Sequence, residues 1–311
     1  MFNFVLRRLI YMIPMMLGTT FVLFFIFNVV PGDPALMFAG KHATVERINE
    51  LRVLMGLDKP WYMQYFDFLF NLMKFDFGRS WSTQQQISEM IKDGAGPSLS
   101  LMLPPFLLSA IVSVLVGLLL AVYRGTLLDR SVVAITVAAQ SVSIIVWVLA
   151  GQYYLAFVKG YFPITGYENG WDTRWQYLIL PGLIFIAIAT APMIRFYRTV
   201  FLDEIFQDYV RTARSKGLSG RTVMLRHVLK NAMIPIITDL VISLPFLILG
   251  SLFLESFFGI PGLGDLVVRA IANTDRPVII AVTIVGTLAY IVFNLISDLL
   301  YALVDPRVSL K

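Results

Sequence analysis

Apolar residues in this chain gather in runs too long for strands and too continuous for one-sided helices. Such runs cover Leu9–Val30, Ser98–Tyr123, Ser131–Val158, Tyr177–Tyr197, Met233–Leu254 and Val278–Val304. A helix needs about 20 largely apolar residues to cross a bilayer core. The pattern therefore predicts an all-α polytopic membrane protein with six transmembrane helices. The first run follows Arg7 and Arg8 and exceeds the apolar length of a secretory signal. Val29-Val30-Pro31-Gly32 offers no small-x-small cleavage site, so this run reads as a retained anchor.

Between the first two runs the period changes. Val45, Ile48, Leu51, Leu54 and Met55 recur at helical spacing, as do Trp61, Tyr65, Phe68, Leu69 and Leu72. Gly56 ends the first of these helices and Pro60 opens the second. Two amphipathic helices are expected to pack on the outer face of the membrane domain, as a cap or as a docking surface.

Composition narrows the function. Of the 311 residues, 58% are hydrophobic and 14% charged, against roughly 25% charged in a soluble domain. With a mean hydropathy of +0.75, a soluble fold would leave apolar patches that soluble monomers rarely tolerate. A cytosolic enzyme is excluded. The absence of cysteine removes disulfides, thiol catalysis and Cys-ligated metals. His42 and His227 stand far apart, which argues against a histidine-based metal centre. The net charge of +5 reads as topology rather than nucleic-acid binding, because it concentrates in particular loops.

Those loops set the orientation. Arg7 and Arg8 precede the first run, Arg124 and Arg130 link the second to the third, and Arg307 and Lys311 follow the sixth. Between runs four and five stand Arg195, Arg198, Arg211, Arg214, Lys216, Arg221, Arg226 and Lys230. The positive-inside rule then places both termini in the cytoplasm. Segments 31–97, 159–176 and 255–277 are expected outside.

The cytoplasmic segment 199–232 carries the clearest local signals. Asp203, Glu204 and Asp208 lead and the bases follow, as a helix dipole favours. Gly217 falls where a left-handed C-cap belongs, and Ser219 suits the N-cap of a following helix. A helix–turn–helix with small residues near its tip is expected.

This stretch resembles the EAA loop of ABC importer permeases. Aligned on Gly217, Ala213 matches the second alanine of that motif, while Arg211 and Thr212 replace its Glu and first Ala. Leu229 matches the later leucine, and Lys230 stands where a proline is usual. Residues 209–218 match Tyr-Val-Arg-Thr-Ala-Arg-x-Lys-Gly-Leu, the form similar to the peptide-type branch (dipeptide, oligopeptide and nickel importers). Leu6-Arg7-Arg8, Pro31-Gly32-Asp33-Pro34, Gly56-Leu57-Asp58-Lys59-Pro60, Asp76-Phe77-Gly78-Arg79-Ser80, Pro261-Gly262-Leu263-Gly264 and Leu303-Val304-Asp305-Pro306-Arg307 also fit. Together they resemble the B-type subunit, with its long first outer loop. One departure is Ser143-Ile144-Ile145, where the family often has Ser-Ile-Pro. No proline is present there to kink the third span.

The resemblance implies a type I ABC importer permease fold in the bacterial inner membrane. It implies a transport subunit rather than an enzyme, forming half of the pathway for di- or oligopeptides. The expected partners are a homologous C-type permease, two ATPase subunits and an extracytoplasmic substrate-binding protein. No cofactor is expected in this chain; ATP and Mg belong to the ATPases. The implied layout is an anchor over 1–30, an external loop domain over 31–97, a five-helix core over 98–304 and a tail over 305–311. Tyr209, Arg211, Thr212, Ala213, Arg214, Lys216, Gly217 and Leu218 are the expected ATPase-coupling residues. Nickel or another small solute is the alternative cargo, and an ion-gradient-driven carrier the alternative class.

The remaining chemistry is sparse. No Gly-x-x-x-x-Gly-Lys phosphate loop occurs, so ATP hydrolysis falls to partners. Asp239 and Asp298 are the acids within the predicted spans, and Gln140, Ser141 and Ser143 form a polar patch on the third. Gln140, Ser143 and Asp239 are candidates to line a pathway, with interfacial or helix–helix roles as the alternative. Glu255, Pro261, Gly262 and Gly264 mark an outer gate or docking element, or a re-entrant closure of the bundle.

Overall fold

The computed structural model of the chain describes residues 2–29, 35, 44–54, 57–170 and 172–304. The Pro31–Pro34 motif, Met55, Gly56 and the Asp305-Pro306-Arg307 terminus lie outside the described residues, as does the side chain of Asp298. The described chain is helical apart from connecting turns and one β-bridge between Arg79 and Gln86. Its helices group into two compact units, residues 1–93 with 266–291, and 94–265 with 292–311.

In the first unit, α1 (Phe2–Phe24) runs on as a π-helical turn, Phe25–Val29. Short helices α2 (Val45–Leu54) and α3 (Trp61–Met73) follow. Pro60 sets the entry to α3 with φ −55°, since its ring fixes that angle and it has no N–H to leave unpaired. α3 packs against α1 within the apolar stretch Ile10–Phe27. Tyr65 is the reason: its hydroxyl donates to the Leu17 carbonyl at 3.0 Å and meets Thr20 Oγ1 at 3.1 Å. Its ring also packs on Phe24, with centroids 5.4 Å apart.

The same unit contains a carboxylate clamp. Asp275, buried just before the last helix, accepts hydrogen bonds from Ser80 Oγ (2.5 Å), Ser82 Oγ (2.7 Å) and the N–H groups of Trp81 (3.0 Å) and Ser82 (3.1 Å). That single side chain holds the turn enclosed by the bridge.

In the second unit, α4 (Ile87–Val122) continues from the first and is 36 residues long. The apolar pattern places the start at Ser98, but the helix begins at Ile87 and runs through Pro97. Tertiary contact sustains it there: a side chain on Gly94 would meet Leu263 at 3.1 Å. Thr126 caps α5 (Leu127–Ser141), and α6 (Ile144–Gly151) runs on as a π-helical segment, Gln152–Val158. These two helices meet at 91°. The α5–α6 pair is thus sharply bent at Val142–Ser143 without a proline, and Ser143 caps α6 by accepting from Ile145 N–H at 3.4 Å.

Next come α7 (Arg174–Ile205), α8 (Asp208–Ser215), α9 (Gly220–Thr222), a π-helical segment Val223–Val228, and α10 (Leu229–Leu249). The chain ends with α11 (Leu252–Phe258), α12 (Leu263–Ala272) and α13 (Arg276–Val304). Two apolar cores hold the second unit. One gathers Leu101, Val148, Leu180, Leu254 and Phe258; the other gathers Tyr197, Phe201, Val210, Val228 and Ile236. Among the described residues, five helical stretches are long and apolar enough to cross a membrane, and the bent α5–α6 pair is a further candidate.

The Asp275 clamp yields a prediction. Burial pushes its carboxyl upward, but the four hydrogen bonds outweigh this and hold it below the usual aspartate range. A depressed folded pKa contributes stability above the unfolded value, and that contribution is lost as pH falls through the folded pKa. The melting temperature of the native chain should exceed that of Asp275→Asn near neutrality. The gap should close below about pH 4. A gap independent of pH would remove the clamp's electrostatic role.

Candidate functional site

The segment around α8 forms a compact hairpin. α8 ends in a Schellman motif, with Leu218 N–H donating to Ala213 O at 3.4 Å and Gly217 N–H to Arg214 O at 2.9 Å. Gly217 closes it with φ +76°, and nothing lies within 4 Å of where a Cβ would stand. The glycine is required here by backbone conformation alone. Ser219 then caps the next helix, accepting from Thr222 N–H at 3.3 Å.

The eight nominated coupling residues divide between two faces. Tyr209 is half-buried and donates to Glu204; burial, then this bond, pushes its hydroxyl pKa up to about 12. Ala213 and Val210 are buried against Val223 and Val228. Ala213 is small because the hairpin closes on it, and it does not share the exposed face of Gly217. Arg211, Thr212, Arg214, Lys216, Gly217 and Leu218 are exposed and form the outer surface of the tip. Arg211 pairs with Asp208 at 3.4 Å on that surface, where such a pair adds little stability.

The nominated pathway residues are not brought into one cluster. Gln140 accepts from Arg195 on α7, while Ser143 is spent as the cap of α6. Asp239 on α10 accepts from the buried Tyr197 hydroxyl on α7 at 3.0 Å. Tyr197 and Arg195 were not legible as partners from the sequence, since nothing local pairs residues so far apart. The same holds for Asp129 and Arg198, a bidentate pair at 2.6 and 2.8 Å between α5 and α7.

The nominated outer residues do converge. Glu255 on α11 is fully buried and accepts from Ser98 Oγ (2.8 Å) and from the N–H groups of Gly264 (2.7 Å), Asp265 (3.1 Å) and Ser251 (3.2 Å). Ser98 Oγ in turn accepts from Leu263 N–H at 2.8 Å. A side chain on Gly262 would overlap the Glu255 carboxylate, and one on Gly264 would meet the Ser251 backbone at 2.7 Å. Glycine is needed at both because two backbones and a carboxylate occupy the same small volume. Pro261 is exposed beside this knot. Ser98 has no sequence signature beyond its place at the head of an apolar run.

Comparison with known proteins decides the family. Residues 113–310 match the model of the binding-protein-dependent transport system inner membrane component, and residues 1–102 match its N-terminal counterpart. The chain belongs to this permease family. It is 34% identical over 313 residues to the glutathione transport system permease protein GsiC of Escherichia coli strain K12, covering all of both chains. It is 35% identical over 318 residues to GsiC of Shigella flexneri serotype 5b and 35% over 313 to that of Salmonella typhi, again over the full length of each. This permease is therefore an inner-membrane transport subunit of a peptide-type ABC importer rather than an enzyme.

The Glu255 knot supplies the test of this geometry. Glu255→Gln replaces one acceptor oxygen with an amide that faces N–H donors, leaving buried donors unpaired. The variant should lose about 1.5–3 kcal/mol of stability, read as a lowered midpoint in detergent unfolding. A midpoint equal to that of the native permease would show that the carboxylate does not hold these segments.

Proposed function

We propose that the permease is one of two homologous membrane subunits of an ATP-driven importer for di- or oligopeptides, with six spans and both termini cytoplasmic. The observation that carries this reading is the exposed, glycine-capped tip of α8, whose residues 209–218 have the peptide-type coupling sequence. In this reading two cytoplasmic ATPases, which hold ATP and Mg, sit under the tip through Arg211, Thr212, Arg214, Lys216, Gly217 and Leu218. ATP binding closes the ATPase pair and displaces the hairpin. Tyr209 and Ala213 root that hairpin beside Phe201, Val228 and Ile236, so displacement passes to α7 and α10 as a rigid-body rotation.

Residues 1–30 would form the anchor, 31–97 the external segment that meets a substrate-binding protein, 98–304 the transporting core and 305–311 a cytoplasmic tail. The bent α5–α6 pair counts as one span, with Gln140, Ser143 and Asp239 facing the pathway. Glu255, Pro261, Gly262 and Gly264 belong to the outer closure. The relatives named for glutathione, itself a tripeptide, support a peptide cargo.

Gly217→Asn separates coupling from folding, because asparagine tolerates the left-handed conformation but adds bulk at the tip. Membrane insertion and unfolding should change little, while ATPase co-purification and peptide uptake should fall by about tenfold, as for roughly 1.4 kcal/mol of lost docking. Native co-purification and uptake would remove the coupling assignment.

A further inference from the structure

An amphipathic helix on a soluble surface has two faces, one packed and one wet. α3 (Trp61–Met73) has three. Successive helical residues are turned by about 100°, which puts Tyr65, Phe68 and Leu72 in one arc of about 60°. All three are half-buried, and the rings of Tyr65 and Phe68 pack on Phe24 of α1 with centroids 5.4 and 6.1 Å away. Gln64, Asp67 and Asn71 fill a second arc of about 60°. Tyr62, Met63, Phe66, Phe70 and Met73 fill a third, of about 100°. They are 47%, 49%, 66%, 55% and 76% exposed. We propose that this third face is seated in phospholipid, making α3 a membrane-interface helix with its axis along the bilayer plane.

The polar arc fixes the attitude of the helix. It runs from Gln64 to Asn71, most of the length of α3, and Asp67 within it pairs with Lys59 at 2.5 Å. A helix standing upright in the membrane would carry that stripe through hydrocarbon, where charged groups are costly. Lying flat, the same helix turns Asp67 and Lys59 to water and the third face to the acyl chains.

Continuity with α1 identifies the occupant as lipid. Only 11% of the apolar stretch Ile10–Phe27 is buried, and Ile13, Val22 and Phe25 on it are about half exposed. In an inner-membrane protein that surface meets lipid. α3 is fastened to the same stretch: Phe21 meets Tyr65 edge-on at 5.6 Å, and Tyr65 donates to the Leu17 carbonyl. The lipid around α1 therefore reaches α3. Phe24 lies about 4–5 Å of helix inside Phe27, the end of the stretch. Interfacial helices sink by about 5–10 Å. Aromatic side chains are also the residues enriched at that level.

The seat has a structural consequence within the first unit. α3 leads directly into the turn that Asp275 clamps, so lipid contact would hold the root of that turn at a fixed depth. The inference rests on α1 being a span, and on neither the coupling assignment nor the side of the membrane that α3 occupies.

Nitroxide labels test it, because the chain has no cysteine. Phe66→Cys, Phe70→Cys, Met73→Cys, Asp67→Cys and Asn71→Cys should each be labelled in the assembled importer, with partner cysteines replaced. The vesicles are phosphatidylethanolamine with phosphatidylglycerol. Oxygen concentrates among acyl chains, whereas a neutral nickel chelate stays in water. The oxygen-to-nickel accessibility ratio should be shifted up at Phe66, Phe70 and Met73 and down at Asp67 and Asn71, with a period of about 3.6 residues. Phe70→Asp should pull the ratio of a label at Met73 down towards that at Asn71. Low access of both reagents to the apolar face would mean that a protein covers it, and a ratio like that of Asn71 would mean water. Either result, or a Met73 label indifferent to Phe70→Asp, would overturn the proposal.

Discussion

One buried carboxylate organises much of the second unit. Glu255 stands in an apolar helix, out of water, and a charge in that position is costly unless hydrogen bonds surround it. Four donors do so, and three of them are backbone N–H groups. Those amides come from the residue ahead of α11 and the first residues of α12, where a helix leaves its own N–H groups unpaired. The carboxylate thus resolves two debts at once, its own desolvation and the open ends of two helices. Ser98 draws α4 into the same knot. The glycines around it follow as consequences, since any side chain on Gly262 would occupy the volume of the carboxylate.

The same requirement, that polar groups be satisfied internally where lipid offers no hydrogen bonds, explains the irregular helices. α5 and α6 break at a right angle, yet Ser143 supplies the cap that the exposed N–H groups need. π-helical segments follow α1 and α6 and precede α10, keeping backbone bonds while shifting register. Charged residues inside the helices are handled alike. Asp129 meets Arg198 through two bonds, and Asp239 meets the hydroxyl of Tyr197. The hairpin at α8 inverts this logic: Val210 and Ala213 are consumed by packing, and a basic surface is left outside.

Most of the architecture was legible because it rests on period and punctuation. Six apolar runs gave the candidate spans, and Gly217 and Ser219 gave both ends of the hairpin turn, since caps are local chemistry. What the sequence hid was tertiary. The break at Val142–Ser143 carries no proline to announce it, and α4 extends through Pro97 because Gly94 packs on Leu263. Ala213 reads as a small residue on a docking surface until the return segment, Val223 and Val228, is seen to cover it. Glu255, Gly262 and Gly264 were recognisable as a cluster, but Ser98, which completes it, was not. A serine at the head of an apolar run has too many ordinary explanations.

The proposed orientation puts the α8 tip on the ATPase side of the membrane and segment 31–97, with its 80–86 turn, outside. The chain has no cysteine, so single cysteines report without background. Gln85 and Arg221 are both exposed positions, the first on that turn and the second in α9, just after the α8 tip. In intact cells, Gln85→Cys should react with a membrane-impermeant thiol reagent, and Arg221→Cys should react only after the inner membrane is opened. Labelling of Arg221→Cys from outside, with Gln85→Cys protected, would contradict the account and take the coupling assignment with it.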